Sequence, residues 1–154
     1  MRGDSLHNQN QVFLPETRRV MDSMQAGVAR RTDGTRPVVM VVDDEQVIAN
    51  TLAMILSRSV NAMAFYDGAS ALKAAQGIVP DVLLTDVVMP GMSGVELAIA
   101  MREVVPHCKV LLFSGQAATR HLLADARAAG HNFALVQKPI HPADLLARVS
   151  ELLS

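Results

Sequence analysis

Four short apolar runs in this 154-residue chain end on residues able to do chemistry: Asp43-Asp44-Glu45, Asp86, Ser114 and Lys138-Pro139. Brought to one place, Asp43, Asp44 and Asp86 set three carboxylates against the single positive charge of Lys138. Two unit charges ~4 Å apart repel by about 4 kcal/mol at an effective dielectric near 20, so such a cluster is costly unless a cation joins it or one member takes a proton. A divalent ion completes the balance. Oxygen donors select a hard one such as Mg²⁺, which keeps several waters and has coordination left for phosphate oxygens. Ser114 and Lys138 then read as phosphate-handling groups, a hydroxyl donor and a mobile point charge. Asp86 stands alone at the end of its run and before a loop, which makes it the candidate nucleophile, since carboxylates form aspartyl-phosphates. Asp43 and Asp44 are left as the metal-holding pair, and the cation with Lys138 would neutralise a phosphoryl group in transfer.

The elements that must position these groups follow from pattern. Val38–Val42 reads as a strand buried on both faces. Over residues 45–58, Val47, Ile48, Thr51, Leu52, Ile55 and Leu56 recur as on an amphipathic helix. Val60–Phe65, Val82–Thr85, Val110–Phe113 and Phe133–Val136 are the remaining strands, with helices over Ser70–Gln76, about 94–105, about 117–129 and from Pro142 onward. Gly130 suits the position just past a helix end, and Pro142 a first helical turn. Five strands separated by helices imply right-handed crossovers, a five-stranded parallel sheet and a doubly wound α/β fold with helices on both faces. In such sheets functional groups gather at the carboxyl ends of the strands, where the four candidate sites fall.

Charge divides the chain near Arg36–Pro37. Residues 1–36 carry six arginines against four acids, a net of +2, and residues 37–154 hold eight basic residues against eleven acids, a net of −3. The first segment is a polar N-terminal extension, either disordered or holding a short amphipathic helix after Pro15, where Val20, Met21, Met24 and Val28 fall at helical offsets. The overall charge of −1 argues against a general electrostatic nucleic-acid binder. The lone Cys108 excludes an internal disulfide and a Cys-rich zinc site, and no apolar stretch nears the ~20 residues that span a bilayer. A cytoplasmic setting is the resulting expectation.

With these residues in order, the chain from about 37 to 154 resembles the receiver domain of two-component response regulators. The matching motifs are the acidic pair in Val41-Val42-Asp43-Asp44-Glu45, the run from Asp86 through Pro90-Gly91 to Gly94, Ser114-Gly115 and Lys138-Pro139. Each is weak alone, and their joint placement at strand ends is specific. The resemblance implies a flavodoxin-like sheet order 2-1-3-4-5 and a single-domain, stand-alone regulator, the chain stopping just after its last helix. It implies that Asp86 receives a phosphoryl group from the phosphohistidine of a histidine kinase or phosphotransfer protein. Asp43, Asp44, Asp86 and the carbonyl of Val88 would hold Mg²⁺, while Ser114 and Lys138 contact the phosphoryl group. Output would pass to a downstream protein, by binding or onward phosphotransfer, through a surface at roughly 117–154, from a monomer or a phosphorylation-dependent dimer. One position departs from the family's pattern: Leu135 stands where an aromatic residue often lies three places before the lysine, which leaves Ser114 as the expected trigger.

Two other functions compete. A small Mg²⁺-dependent phosphohydrolase on a similar sheet would want a general acid two residues beyond its nucleophile, where this chain has Val88. An inactive receiver serving only for docking would be expected to lack an acid or the lysine, and none is missing. No Gly-rich phosphate loop supports nucleotide binding, and His107, His121, His131 and His141 lack the i,i+4 pairing of a histidine metal site.

Overall fold

The β-branched and aliphatic runs form the strands, and the periodic segments between them form helices packed on both sides. The computed structural model describes residues 34–115 and 120–154. The elements are β1 (Val38–Val42), α1 (Gln46–Leu56), β2 (Asn61–Phe65), α2 (Gly68–Ala74), β3 (Val82–Asp86), α3 (Gly94–Val104), β4 (Lys109–Ser114), α4 (Arg120–Ala128), β5 (Ala134–Gln137) and α5 (Pro142–Leu153). All neighbouring strands pair parallel, in the order β2-β1-β3-β4-β5. The helix expected after Pro15, and the first residues of the one expected from about 117, lie outside the described residues.

Alternation along the strands feeds two cores. Val39 and Val41 of β1, Val82 and Leu84 of β3, and Leu111 and Phe113 of β4 pack with Leu52 and Leu56 of α1 and with Leu145, Leu146 and Val149 of α5. Met40, Val42, Leu83, Val110 and Leu112 point to the other side, against α2, α3 and α4. Every residue of β1 and β3 is buried, as central strands covered on both faces should be.

β1 keeps the bounds read in sequence and β2 starts one residue later, while the ladders of β3, β4 and β5 run one residue past their apolar runs. Asp86 pairs opposite Phe113 and Ser114 opposite Gln137, so β3 and β4 each carry their polar terminal residue within the sheet. Phe133, expected to begin β5, instead precedes it and is buried beneath Arg102, whose guanidinium lies 4.8 Å from the ring centroid. The His131 ring stacks on Phe133 at 5.8 Å.

Local chemistry fixes the helix ends. Asp67 caps α2 by accepting from Ser70 N–H at 2.7 Å, and Ser93 and Glu96 form a reciprocal capping box on α3. His141 caps α5, its Nδ1 accepting from Ala143 N–H at 3.1 Å, with Pro142 next in the first turn. Past α4, Gly130 takes φ +95°. Gly130 N–H donates to Arg127 O at 3.0 Å and His131 N–H to Ala126 O at 2.8 Å, the paired bonds of a Schellman ending.

Candidate functional site

The parallel sheet turns β1, β3 and β4 toward one edge, where each delivers a polar residue. Asp43 follows β1 in the same alternation as Val39 and Val41, so its side chain faces inward and is 0% exposed. Its Oδ1 accepts from Glu45 N–H at 2.9 Å, which turns the chain into α1. Asp44, next in sequence, is exposed. Asp86 ends β3 and is 8% exposed. One carboxylate oxygen from each of Asp43, Asp44 and Asp86 lies within 4.8 Å of the other two.

Lys138 enters from the end of β5. Its Nζ stands 3.2 Å from Asp43 Oδ2 and 3.2 Å from Asp86 Oδ2, and 4.8 Å from the centroid of the Phe113 ring. Lys138 N–H donates to Ser114 O at 2.9 Å, tying the two strand ends together. The Lys138–Pro139 peptide is cis. Asp86, Val88, Ser114 and Lys138 share the wall of an open cleft of about 630 Å³, with Asp44 and Glu45 at its rim.

Electrostatics set these groups apart from ordinary surface charges. Burial pushes the Asp86 carboxyl above the usual carboxylate range and the Asp43 charge adds to this, while the Lys138 ammonium opposes it. For Lys138, burial works to lower the pKa, but the hydrogen bond to Asp43 and the charges of Asp86 and Asp43 outweigh it and hold the ammonium above its ordinary value. One lysine thus contacts two carboxylates while a third lies close by, leaving net negative charge on a cluster made only of oxygen donors. Such a set fits a hard divalent cation.

All the sequence-derived candidates therefore meet at this edge. Asp43, Asp44 and Asp86 cluster, Lys138 bridges two of them, and Ser114 and Val88 line the same cleft. Leu135 is half-buried and packs into the core facing α2, α3 and α4.

Two further contacts were not legible in the sequence, although Gly94 itself closes the motif that runs from Asp86. A Cβ on Gly94 would lie 1.8 Å from Asp86 O, so only glycine lets α3 begin against the backbone of the nucleophile candidate. Thr85, fully buried, donates its Oγ1–H to Asp86 O at 2.9 Å. Gly94 contacts Asp86 across a seven-residue loop, and no periodicity or composition reports such an approach.

Comparison with known proteins supplies an independent finding. Residues 39–150 match the family model of the response regulator receiver domain. The chain is 36% identical over 125 residues to the probable transcriptional regulatory protein TcrX of Mycobacterium tuberculosis, covering 80% of this chain and 53% of that one. It is 33% identical over 119 residues to the transcriptional regulatory protein CreB of Escherichia coli, covering 77% of this chain and 51% of that one. The chain thus spans about half the length of these two relatives. Among solved structures, the chemotaxis protein CheY4 of Vibrio cholerae superposes with TM-score 0.69 at 26% identity, over 77% of this chain and all of that one. The BeF3-activated DrrB receiver domain, from Thermotoga maritima, does so with TM-score 0.67 at 27% identity, over 77% of this chain and 98% of that one.

Proposed function

The chain belongs to the response regulator receiver domain family, and from that premise we propose that it is a cytoplasmic phosphorylation switch whose phosphoacceptor is Asp86. One observation carries the proposal: a buried Asp86 carboxylate bonded to Lys138, within a cluster of three carboxylates that opens onto a cleft. In the step itself, a carboxylate oxygen of Asp86 attacks the phosphorus of a phosphohistidine on a histidine kinase or phosphotransfer protein. The O–P bond forms as the N–P bond breaks, and the imidazole nitrogen leaves with the electron pair.

Asp43, Asp44, Asp86 and the Val88 carbonyl would hold Mg²⁺, which when bound supplies charge neutralisation for the phosphoryl oxygens. The chain's own groups do the rest. Lys138, already held between Asp43 and Asp86, pairs with a phosphoryl oxygen as the Asp86 carboxylate is consumed. Ser114 turns its hydroxyl to the same group, and the change reaches α4, β5 and α5. The altered state is a shift between two conformations, with a coupling of typically 1–3 kcal/mol.

Incubation of the full chain with Mg²⁺ and acetyl phosphate should add one phosphoryl mass, measured on the intact protein. Asp86→Asn should abolish it. Label persisting in that variant would refute the assignment, and steady turnover of a phosphate ester over many equivalents would favour a hydrolase.

A further inference from the structure

Lys138 brings positive charge to the cleft, so where its ammonium rests decides what it can do for a phosphoryl group. Asp43 Oδ2 and Asp86 Oδ2 each lie 3.2 Å from its Nζ. The same ammonium stands 4.8 Å from the centroid of the Phe113 ring, inside the ~6 Å over which a ring face attracts a cation. The lysine and that ring border a cleft of about 410 Å³ with the apolar side chains of Ile48, Leu52, Pro139 and Ile140. Attraction to a ring face strengthens as water is removed, and the Lys138 side chain is only 22% exposed.

Phe113 makes a fixed seat. It is 1% exposed and packs in the core that faces α1 and α5, so its ring face stays where the fold sets it. In the ladder it lies opposite Asp86, and its carbonyl accepts from Val87 N–H at 3.2 Å. One residue thus holds the strand of the nucleophile candidate through its backbone and the lysine through its side chain. Leu111 and Leu112 precede it in β4. A third leucine would keep the position apolar but would lack the negative ring face that draws an ammonium. When the Asp86 oxygen bonds to phosphorus, the ammonium loses one of its two carboxylates. The ring remains and keeps the charge within reach of the phosphoryl oxygens.

Resting on the reading of Asp86 as phosphoacceptor, we propose that Phe113 is a positioning residue for the transfer, its ring face holding the Lys138 ammonium at Asp43 and Asp86 until a phosphoryl oxygen replaces the Asp86 oxygen as its partner.

Nuclear magnetic resonance and phosphorylation kinetics on the full chain test this together. The chain has three lysines, Lys73, Lys109 and Lys138. Protons above a ring face shift upfield, so the ε-methylene protons of Lys138 should resonate upfield of those of Lys73 and Lys109, and return to their range in Phe113→Leu. That variant should slow labelling by acetyl phosphate with Mg²⁺ roughly 5-fold, the size of a partly desolvated cation–ring contact. Leu56→Ala opens the same core at the end of α1 away from the cleft; it should cost at least as much stability yet leave the labelling rate within about 2-fold of the parent. Unshifted Lys138 protons in the parent would overturn the proposal, even where Phe113→Leu fails to fold. A Phe113→Leu rate equal to the parent's, or an equal slowing in Leu56→Ala, would overturn it as well. A parent that shows the Lys138 shift yet takes no label would overturn the reading of Asp86 itself, and the role in transfer with it.

Discussion

The two ends of the sheet use the same residue type in opposite ways. At the amino end, Asp81 precedes β3 and its Oδ2 accepts from Val38 N–H at 2.7 Å, while its own N–H donates to Val38 O at 2.8 Å and its carbonyl accepts from Lys109 N–H at 3.0 Å. That aspartate stitches β1, β3 and β4 together. At the carboxyl end, Asp86 closes the same strand, yet its carboxylate turns to Lys138 and to an open cleft beside two other carboxylates. Asp81 is absorbed by the strand ladder, whereas the Asp86 carboxylate opens onto the cleft. What separates the two aspartates is where the carboxylate faces: Asp86, like Asp43 and Asp44, meets other carboxylates at one edge, where a cation can join them.

That contrast breaks most readily at Gly94. Gly94→Ala places a Cβ against Asp86 O and should cost about 3 kcal/mol in chemical denaturation, the upper part of the usual overpacking range. It should also depress phosphorylation. Gly77→Ala, at a loop position with no neighbour within 4 Å, should stay within about 0.5 kcal/mol of the parent. Equal costs at the two glycines would mean that the approach of α3 to Asp86 is not tight.

A second pair of variants sharpens the comparison between the aspartates. Asp81→Ala leaves Val38 N–H without its acceptor and should cost about 1–3 kcal/mol, with Mg²⁺ affinity unchanged by calorimetry. Asp43→Asn keeps an oxygen for Glu45 N–H, so stability should move by less than about 1 kcal/mol. Its Mg²⁺ affinity should fall at least ~10-fold, as expected when a metal's ligand set is damaged. The reverse pattern would contradict the division of roles.

The smallest effect is in pH dependence. Lys138 has a folded pKa above its ordinary value, through its bond to Asp43 and the charges of Asp86 and Asp43 working against burial. The folded state therefore holds this proton more tightly than the unfolded chain. Its stabilising contribution is full below the ordinary lysine value of about 10.4 and disappears as pH climbs through the raised folded value. The stability gap between the parent and Lys138→Met should be constant from pH 7 to 9 and narrow above pH ~10.5. A gap that widens there would reverse the sign.

Much of this arrangement was readable because strand ends in parallel sheets are punctuated by composition: an apolar run that stops at Asp, Ser or Lys marks both the element and the site. Asp43, Asp86, Ser114 and Lys138 were legible on that ground, as was the ending of α4 at Gly130. What separates buried Asp43 from exposed Asp44 was not, since both follow the same run and only the alternation carried over from Val41 decides which turns inward. The placement of Phe133 outside β5 was hidden because an aromatic residue suits a strand as well as a buried seat beneath the Arg102 guanidinium. Gly94 and Thr85 act through contacts with the Asp86 backbone, and such contacts leave no trace in hydrophobic pattern.

Chemical trapping at residue 86 examines the central claim most directly. An aspartyl-phosphate is an acyl phosphate, which borohydride reduces to the alcohol, turning that aspartate into homoserine. After treatment with acetyl phosphate and Mg²⁺, then borohydride, peptide mapping should find homoserine at position 86 and at no other aspartate. Intact aspartate at position 86, or homoserine at position 43, 44 or 81 instead, would contradict the account.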